Sequence, residues 1–178
     1  ARDPNRYRGT ALDGSPEELK TKAILQTRLA AIDIGSNSIR LVVAEVEPDG
    51  GYRVLDEERD MARLGHGLAA TGKLQDGPMR ASLAALAKMV AIANGFRARV
   101  RAVATSAVRD AANGRAFLRV VRKRLGLRLE IISAEEEGLL AFRSASRHFD
   151  LGDHPAAVAD IGGGSLEVVF ARGHVAER

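Results

Sequence analysis

The chain has 178 residues, enough for one full domain or for one domain and part of another. With 46% hydrophobic and 28% charged residues it reads as folded rather than disordered, and the absence of cysteine excludes disulfides and thiolate metal sites. A net charge of +4, carried mostly by arginine, suits an anionic ligand as well as plain solvated faces, whereas scattered basic residues without interleaved aromatics disfavour nucleic acid.

Residues 1 to about 28 read as a tail, punctuated by Pro4, Gly9, Gly14 and Pro16, in which Ser15-Pro16-Glu17-Glu18 suits the start of one short helix. Arg2, Asp3, Arg6 and Arg8 are followed by no apolar stretch of the secretory kind, and no apolar run reaches membrane-spanning length, so a cytoplasmic protein with no membrane partner is expected. Leu29 to Ile34, Ile39 to Val46 and Tyr52 to Met61 are expected strands, the last two joined by a turn at Pro48-Asp49-Gly50-Gly51. Pro78 is expected to open a helix bearing Met79, Leu83, Leu86 and Val90 at helical spacing. A strand over Arg99 to Thr105 and a helix marked by Phe117, Val120, Val121 and Leu125 follow, the helix closed by Gly126. Next come a strand over Leu127 to Ile132, a helix from Ser133 to about Arg147, and a polar connector. The strands Ala156 to Ile161 and Leu166 to Ala171 end the order. Hairpin-linked strands followed by crossover helices predict a mixed sheet covered by helices. Few aromatics, at 4% with no Trp, predict an aliphatic core.

One internal repeat stands out. Ala30-Ala31-Ile32-Asp33-Ile34-Gly35-Ser36-Asn37-Ser38 resembles Val158-Ala159-Asp160-Ile161-Gly162-Gly163-Gly164-Ser165, and Asp33 and Asp160 are 127 positions apart (160 − 33). In each copy an apolar strand ends in Asp-Ile-Gly, then small residues and a Ser, then another apolar strand. Glycines let backbone approach an anion closely, and successive N–H groups with Ser hydroxyls donate to phosphate oxygens. An Asp at the strand end suits a hydrated divalent cation that the phosphate shares. Either segment alone is an ordinary turn. Two copies with matching flanks point to two lobes, each offering a phosphate turn to a shared cleft.

The wording of five segments narrows this further. Asp33-Ile34-Gly35-Ser36-Asn37-Ser38-Ile39-Arg40-Leu41, Arg63-Leu64-Gly65, Ala104-Thr105-Ser106-Ala107-Val108-Arg109-Asp110-Ala111, Ile132-Ser133-Ala134-Glu135-Glu136-Glu137-Gly138 and Asp160-Ile161-Gly162-Gly163-Gly164-Ser165-Leu166-Glu167 occur in this order. Together they resemble the exopolyphosphatase / guanosine pentaphosphate phosphohydrolase family of the actin-like ATPase superfamily, from about Leu29 onward. The resemblance implies an α/β, ribonuclease H-like or actin-like lobe with a mixed five-stranded sheet and flanking helices, plus the first hairpin of a second, similar lobe. Residues 29–147 would be the first lobe, 148–155 the connector and 156–178 the start of the second. The implied activity is metal-dependent release of terminal phosphate from polyphosphate or guanosine pentaphosphate, with magnesium the usual cation and a homodimer one expectation for the full-length form. The family continues well past its second turn, so activity is expected of the whole protein rather than of this piece.

Ser133 at the helix start and Glu136 three residues on form a capping box, and Glu135 suits the helix dipole, so neither acid needs a catalytic reason. Glu137 is required by neither device. In the family a Glu directly before the small residue of this segment activates the attacking water, and Glu137 precedes Gly138. The resemblance further assigns Asp33, Asp160 and Glu167 to the neighbourhood of the metal. It gives phosphate contacts to Ser36, Asn37, Ser38, Arg109 and the Gly162-Gly163-Gly164-Ser165 turn. His66 between glycines reads as incidental, and the remaining histidines have no zinc spacing. Two rival readings stay open: an ATP-handling kinase or ATPase relative, and a non-catalytic module that senses anions.

Overall fold

The computed structural model describes residues 28–47, 51–149, 151, 154–172 and 175–176. The expected tail and its short helix, and residues 48–50 of the expected hairpin turn, lie outside them. Alternation along the first strands sets the frame. In β1 (Arg28–Ile34) Ala30, Ile32 and Ile34 are buried, while in β2 (Ile39–Val46) Ile39, Leu41 and Val43 are buried, and the residues between them face the other way. β2 pairs antiparallel with β1 and with β3 (Tyr52–Asp60), the latter pairing shifting register between Val43 and Ala44.

Five helices lie among the later strands: α1 (Leu68–Thr71), α2 (Asp76–Gly95), α3 (Ser106–Asp110), α4 (Gly114–Leu125) and α5 (Ala134–His148). β4 (Arg99–Ala104) joins β1 in parallel and β5 (Leu129–Ile131) joins β4 in parallel, giving one five-stranded mixed sheet of order β3-β2-β1-β4-β5. Leu86 and Met89 of α2 and Phe117 and Val121 of α4 are fully or almost fully buried, in one core with the inward side chains of β1 and β2. Beyond α5, β6 (Pro155–Ile161), β7 (Leu166–Arg172) and β8 (Val175–Ala176) form a separate antiparallel sheet of three strands. The far face of its β6–β7 hairpin leaves Ile161, Leu166, Val168 and Phe170 exposed, at 81%, 62%, 48% and 63%.

Two elements depart from the sequence reading by more than a residue, and two short helices are added to it. Helix α2 starts at Asp76, so Pro78 sits inside its first turn, where backbone N–H groups have no partner within the helix and proline costs nothing. Strand β5 spans three residues instead of the six expected. Its ladder with β4 runs from Leu129 to Ile131, and Ile132 N–H adds one bond to Ala104 O at 3.2 Å. Leu127 and Ile132 lie outside the strand but are buried, which accounts for their apolar character. The single-turn helices α1 and α3 are too short to carry a periodic signal.

A candidate active site between two turns

β1 and β4 run side by side and stop level with each other, Ile34 opposite Ala104. The first turn and the start of α3 therefore emerge together at the carboxyl ends of parallel strands, where open α/β sheets form a crevice. Thr105 N–H donates to Ile34 O at 3.2 Å across that junction. The turn is tied by Gly35 N–H to Ser38 O at 3.0 Å, and from behind Gly65 N–H and Arg63 N–H donate to the carbonyls of Ser36 and Asn37 at 2.8 and 2.9 Å. This is what the Arg63-Leu64-Gly65 segment does: it braces the first turn.

The second turn copies the first. Gly162 N–H donates to Ser165 O at 3.0 Å, and Ile161 lies opposite Leu166 as Ile34 lies opposite Ile39. One difference breaks the likeness: Asp33 has Arg40 as its cross-strand partner, whereas Asp160 has Glu167.

The two turns touch. A side chain at Gly163 would collide with the Asn37 carboxamide, and a Cβ at Gly164 would stand 2.6 Å from Ser36 Oγ and 3.3 Å from Ser106 Oγ. Only residues without a Cβ permit this approach. Beside the contact lies a cavity of about 390 Å³. The first turn gives it Asp33, Ser36, Asn37 and Ser38, and the second gives Asp160, Gly162, Gly163 and Ser165. Glu137 reaches it from α5.

Glu137 is aimed by its helix. Ser133 caps α5, its Oγ accepting from Glu136 N–H at 3.1 Å, and Gly138 lets the helix settle on β7, where a Cβ would lie 3.1 Å from Val169 and 3.5 Å from Glu167. One residue earlier the helix faces elsewhere: the Glu136 side chain is half exposed and lies 3.9 Å from Arg101 Nη2. Arg109 Nη1 donates to Glu137 Oε2 at 2.8 Å and to Ile132 O at 3.2 Å, and Arg109 Nη2 lies 4.0 Å from Glu167 Oε1. Partial burial works against the Arg109 cation, but Glu137, Asp110 and Glu167 more than offset it, so the guanidinium is held more firmly protonated than usual.

The cavity is crowded with acid. Protein packed around Asp33, then the charges of Glu137 and Asp160, raise its carboxyl above the ordinary range against the pull of Arg40, although the residue keeps a solvent-facing edge. Among the described residues no group of three or more His, Asp or Glu side chains is arranged to hold a metal ion. That speaks against an all-protein metal cage. A cation such as magnesium asks less, taking one or two carboxylates and completing its shell with water and phosphate oxygens. Asp33 and Asp160, facing one cavity with the charge of Asp160 helping to raise the Asp33 carboxyl, fit that demand.

The geometry brings most of the sequence-predicted residues together. Asp33, Ser36, Asn37, Ser38, Glu137, Asp160, Gly162, Gly163 and Ser165 line one cavity. Gly164 forms the contact between turns instead, and Glu167, 8% exposed, lies beneath α5 beside Arg109. Arg109 is not on the cavity wall and reaches it only through Glu137. Thr105, Ser106, Arg40 and Arg59 also line the cavity and carry no role in the sequence reading. Ser106 lies just past the end of β4, and what brings it to the wall is that β1 ends level with that strand. Arg40 and Arg59 are opposite each other on β2 and β3, a pairing that only strand register reveals.

Residues 41–177 match the model of the Ppx/GppA phosphatase family. The chain belongs to the Ppx/GppA phosphatase family. It is 37% identical over 158 residues to an exopolyphosphatase 2 of Mycobacterium tuberculosis, an alignment covering 84% of this chain and 50% of that protein. It resembles the crystal structure of the Aquifex aeolicus Ppx/GppA family member at 34% identity and a TM-score of 0.74, over 85% of this chain and 49% of the other. Against an exopolyphosphatase from Cytophaga hutchinsonii the identity is 28% and the TM-score 0.81, over 84% and 48%. The mixed five-stranded sheet with its flanking helices is thus the actin-like lobe of this family. The chain spans about half the length of the relatives it matches. Among the described residues no helix is long and apolar enough to cross a membrane.

Proposed function

We propose that the protein to which this chain belongs is a cytoplasmic hydrolase that releases the terminal phosphate of polyphosphate or guanosine pentaphosphate. One observation carries the reading: two turns of the same design, offset by 127 residues, meet at a single cavity into which Glu137 points. Backbone N–H groups and the hydroxyls of Ser36, Ser38 and Ser165, with the Asn37 amide, are suited to hold phosphoryl oxygens without bringing charge of their own. Arg40 and Arg59 add positive charge at the wall.

In this reading Glu137 accepts a proton from a water that attacks the terminal phosphorus. A new P–O bond forms, the anhydride bond on the far side breaks, and its electron pair leaves with the shortened phosphate chain. Arg109 fixes the direction of the Glu137 carboxylate through the 2.8 Å bond, which supports orientation rather than direct phosphate contact. Asp33 and Asp160 would hold a divalent cation, whose chemistry when bound is to neutralise charge building on the phosphate oxygens. Glu167 would act on that site from beneath, through Arg109 and the seating of α5.

Phosphate release by the full-length protein, compared on polyphosphate, guanosine pentaphosphate and ATP, with magnesium and with chelator, tests this. Release from either of the first two, lost with chelator, is expected. Turnover of ATP alone would replace the reading with that of an ATP-handling relative.

A further inference from the structure

Ser36 and Ser106 come from different elements, 70 positions apart, and are both buried, at 7% and 4% exposure. Their Oγ atoms are 2.9 Å apart, and either can be the donor. Each hydroxyl owns one proton and can accept as well. Joining the two occupies one proton and leaves the other. Among the described residues no further side-chain hydrogen bond is made by either oxygen. Gly164 presses against both hydroxyls, and Gly65 crowds Ser36 from behind, where an added Cβ would lie 3.0 Å from Ser36 Cβ. The remaining open side is the cavity, which both residues line. A buried donor facing an acid-lined cavity without a fixed acceptor is costly unless something with free lone pairs enters.

We propose that Ser106 is a phosphate-positioning residue that works as a pair with Ser36, so that one O–H of the two always points at a phosphoryl oxygen in the cavity. The assignment rests on the phosphate-cleft reading above and deepens it. Whichever hydroxyl donates within the pair, the other is the donor toward the ligand, and the short link stops its rotor from turning away. Loss of either partner therefore disables the unit.

Calorimetric titration of tripolyphosphate with magnesium into the full-length protein carrying Glu137→Gln, which is expected to bind without turning the ligand over, tests this in four forms: that parent, and the same protein with Ser36→Ala, with Ser106→Ala and with both. Each single change is expected to weaken binding on the order of tenfold, the worth of a hydrogen bond to a charged acceptor, and the double variant little more than either single one. Thermal unfolding of each form reports whether the fold is kept, and a merely structural Ser106 would lower stability while leaving its effect on affinity independent of Ser36. Additive losses, or Ser106→Ala binding as the parent does, overturn the assignment and leave the cleft reading standing. No binding by the parent rejects the cleft itself and this assignment with it.

Discussion

At the scale of single residues the cavity is governed by where three carboxylates stand and by the guanidiniums of Arg40 and Arg59 on its wall and of Arg109 behind Glu137. Glu137 faces the two turns while Glu136, one position earlier on the same helix, looks toward Arg101. A Glu137→Gln change in the full-length protein is expected to lower phosphate release by about 10²–10⁴-fold with tripolyphosphate affinity kept, and Glu136→Gln to leave the rate within about twofold. Steady-state rates and calorimetry on the two variants check both. Asp33 supplies a second test, of sign rather than size. Its carboxyl is raised by packing and by Glu137 and Asp160, so the folded state disfavours the charged form. Its favourable contribution is full below the ordinary aspartate range and is lost as pH rises through the raised value. Asp33→Asn is therefore expected to melt higher than the parent at neutral pH, with the advantage shrinking to nothing in acid, as thermal unfolding across pH will report. Much at this scale was legible. The small residues and acids of both Asp-Ile-Gly turns announce themselves, since few other jobs need that composition twice. Arg40, Arg59 and Ser106 were not, because what places them on the wall is cross-strand register and the meeting of two strand ends, neither of which is written in local spacing.

At the scale of elements, α5 is the arm that carries Glu137, the proposed base, and its aim depends on two small contacts. Ser133→Ala removes the acceptor for Glu136 N–H and is expected to cost about 0.5–2 kcal/mol in denaturant unfolding. Because the same first turn holds Glu137, the variant should also lose rate while the cavity's affinity for phosphate stays. Gly164 is the corresponding point on the β6–β7 hairpin. Its replacement by Ala would put a methyl 2.6 Å from Ser36 Oγ, so the hairpin must retreat from the first turn. Weaker tripolyphosphate binding with an unchanged circular dichroism spectrum is the expected result. Strand positions were readable from apolar runs, as in β2, whose bounds coincide with the run Ile39 to Val46. The extent of β5 was not, since buried Leu127 and Ile132 flank it and prolong the apolar run beyond the paired residues.

At the scale of the whole molecule, the five-stranded sheet and the three-stranded sheet meet through α5 and through the facing turns. A ligand that bridges the turns ties the two sheets together. Hydrogen exchange with and without tripolyphosphate should therefore show new protection concentrated at residues 35–38 and 160–165, with the core of α2 and α4 unaffected. Uniform protection, or none, would mean that the ligand sits elsewhere.

The near-twofold likeness of the two turns hides a polarity. Beside Asp33 stands Arg40, and beside Asp160 stands Glu167, so one cradle is close to neutral and the other is doubly acidic before Arg109 is counted. A linear polyanion laid across both would not find interchangeable seats. The phosphoryl group in one seat would lie in more acidic surroundings than its neighbour in the other, so the unlike ends belong to the cleft and not to the ligand.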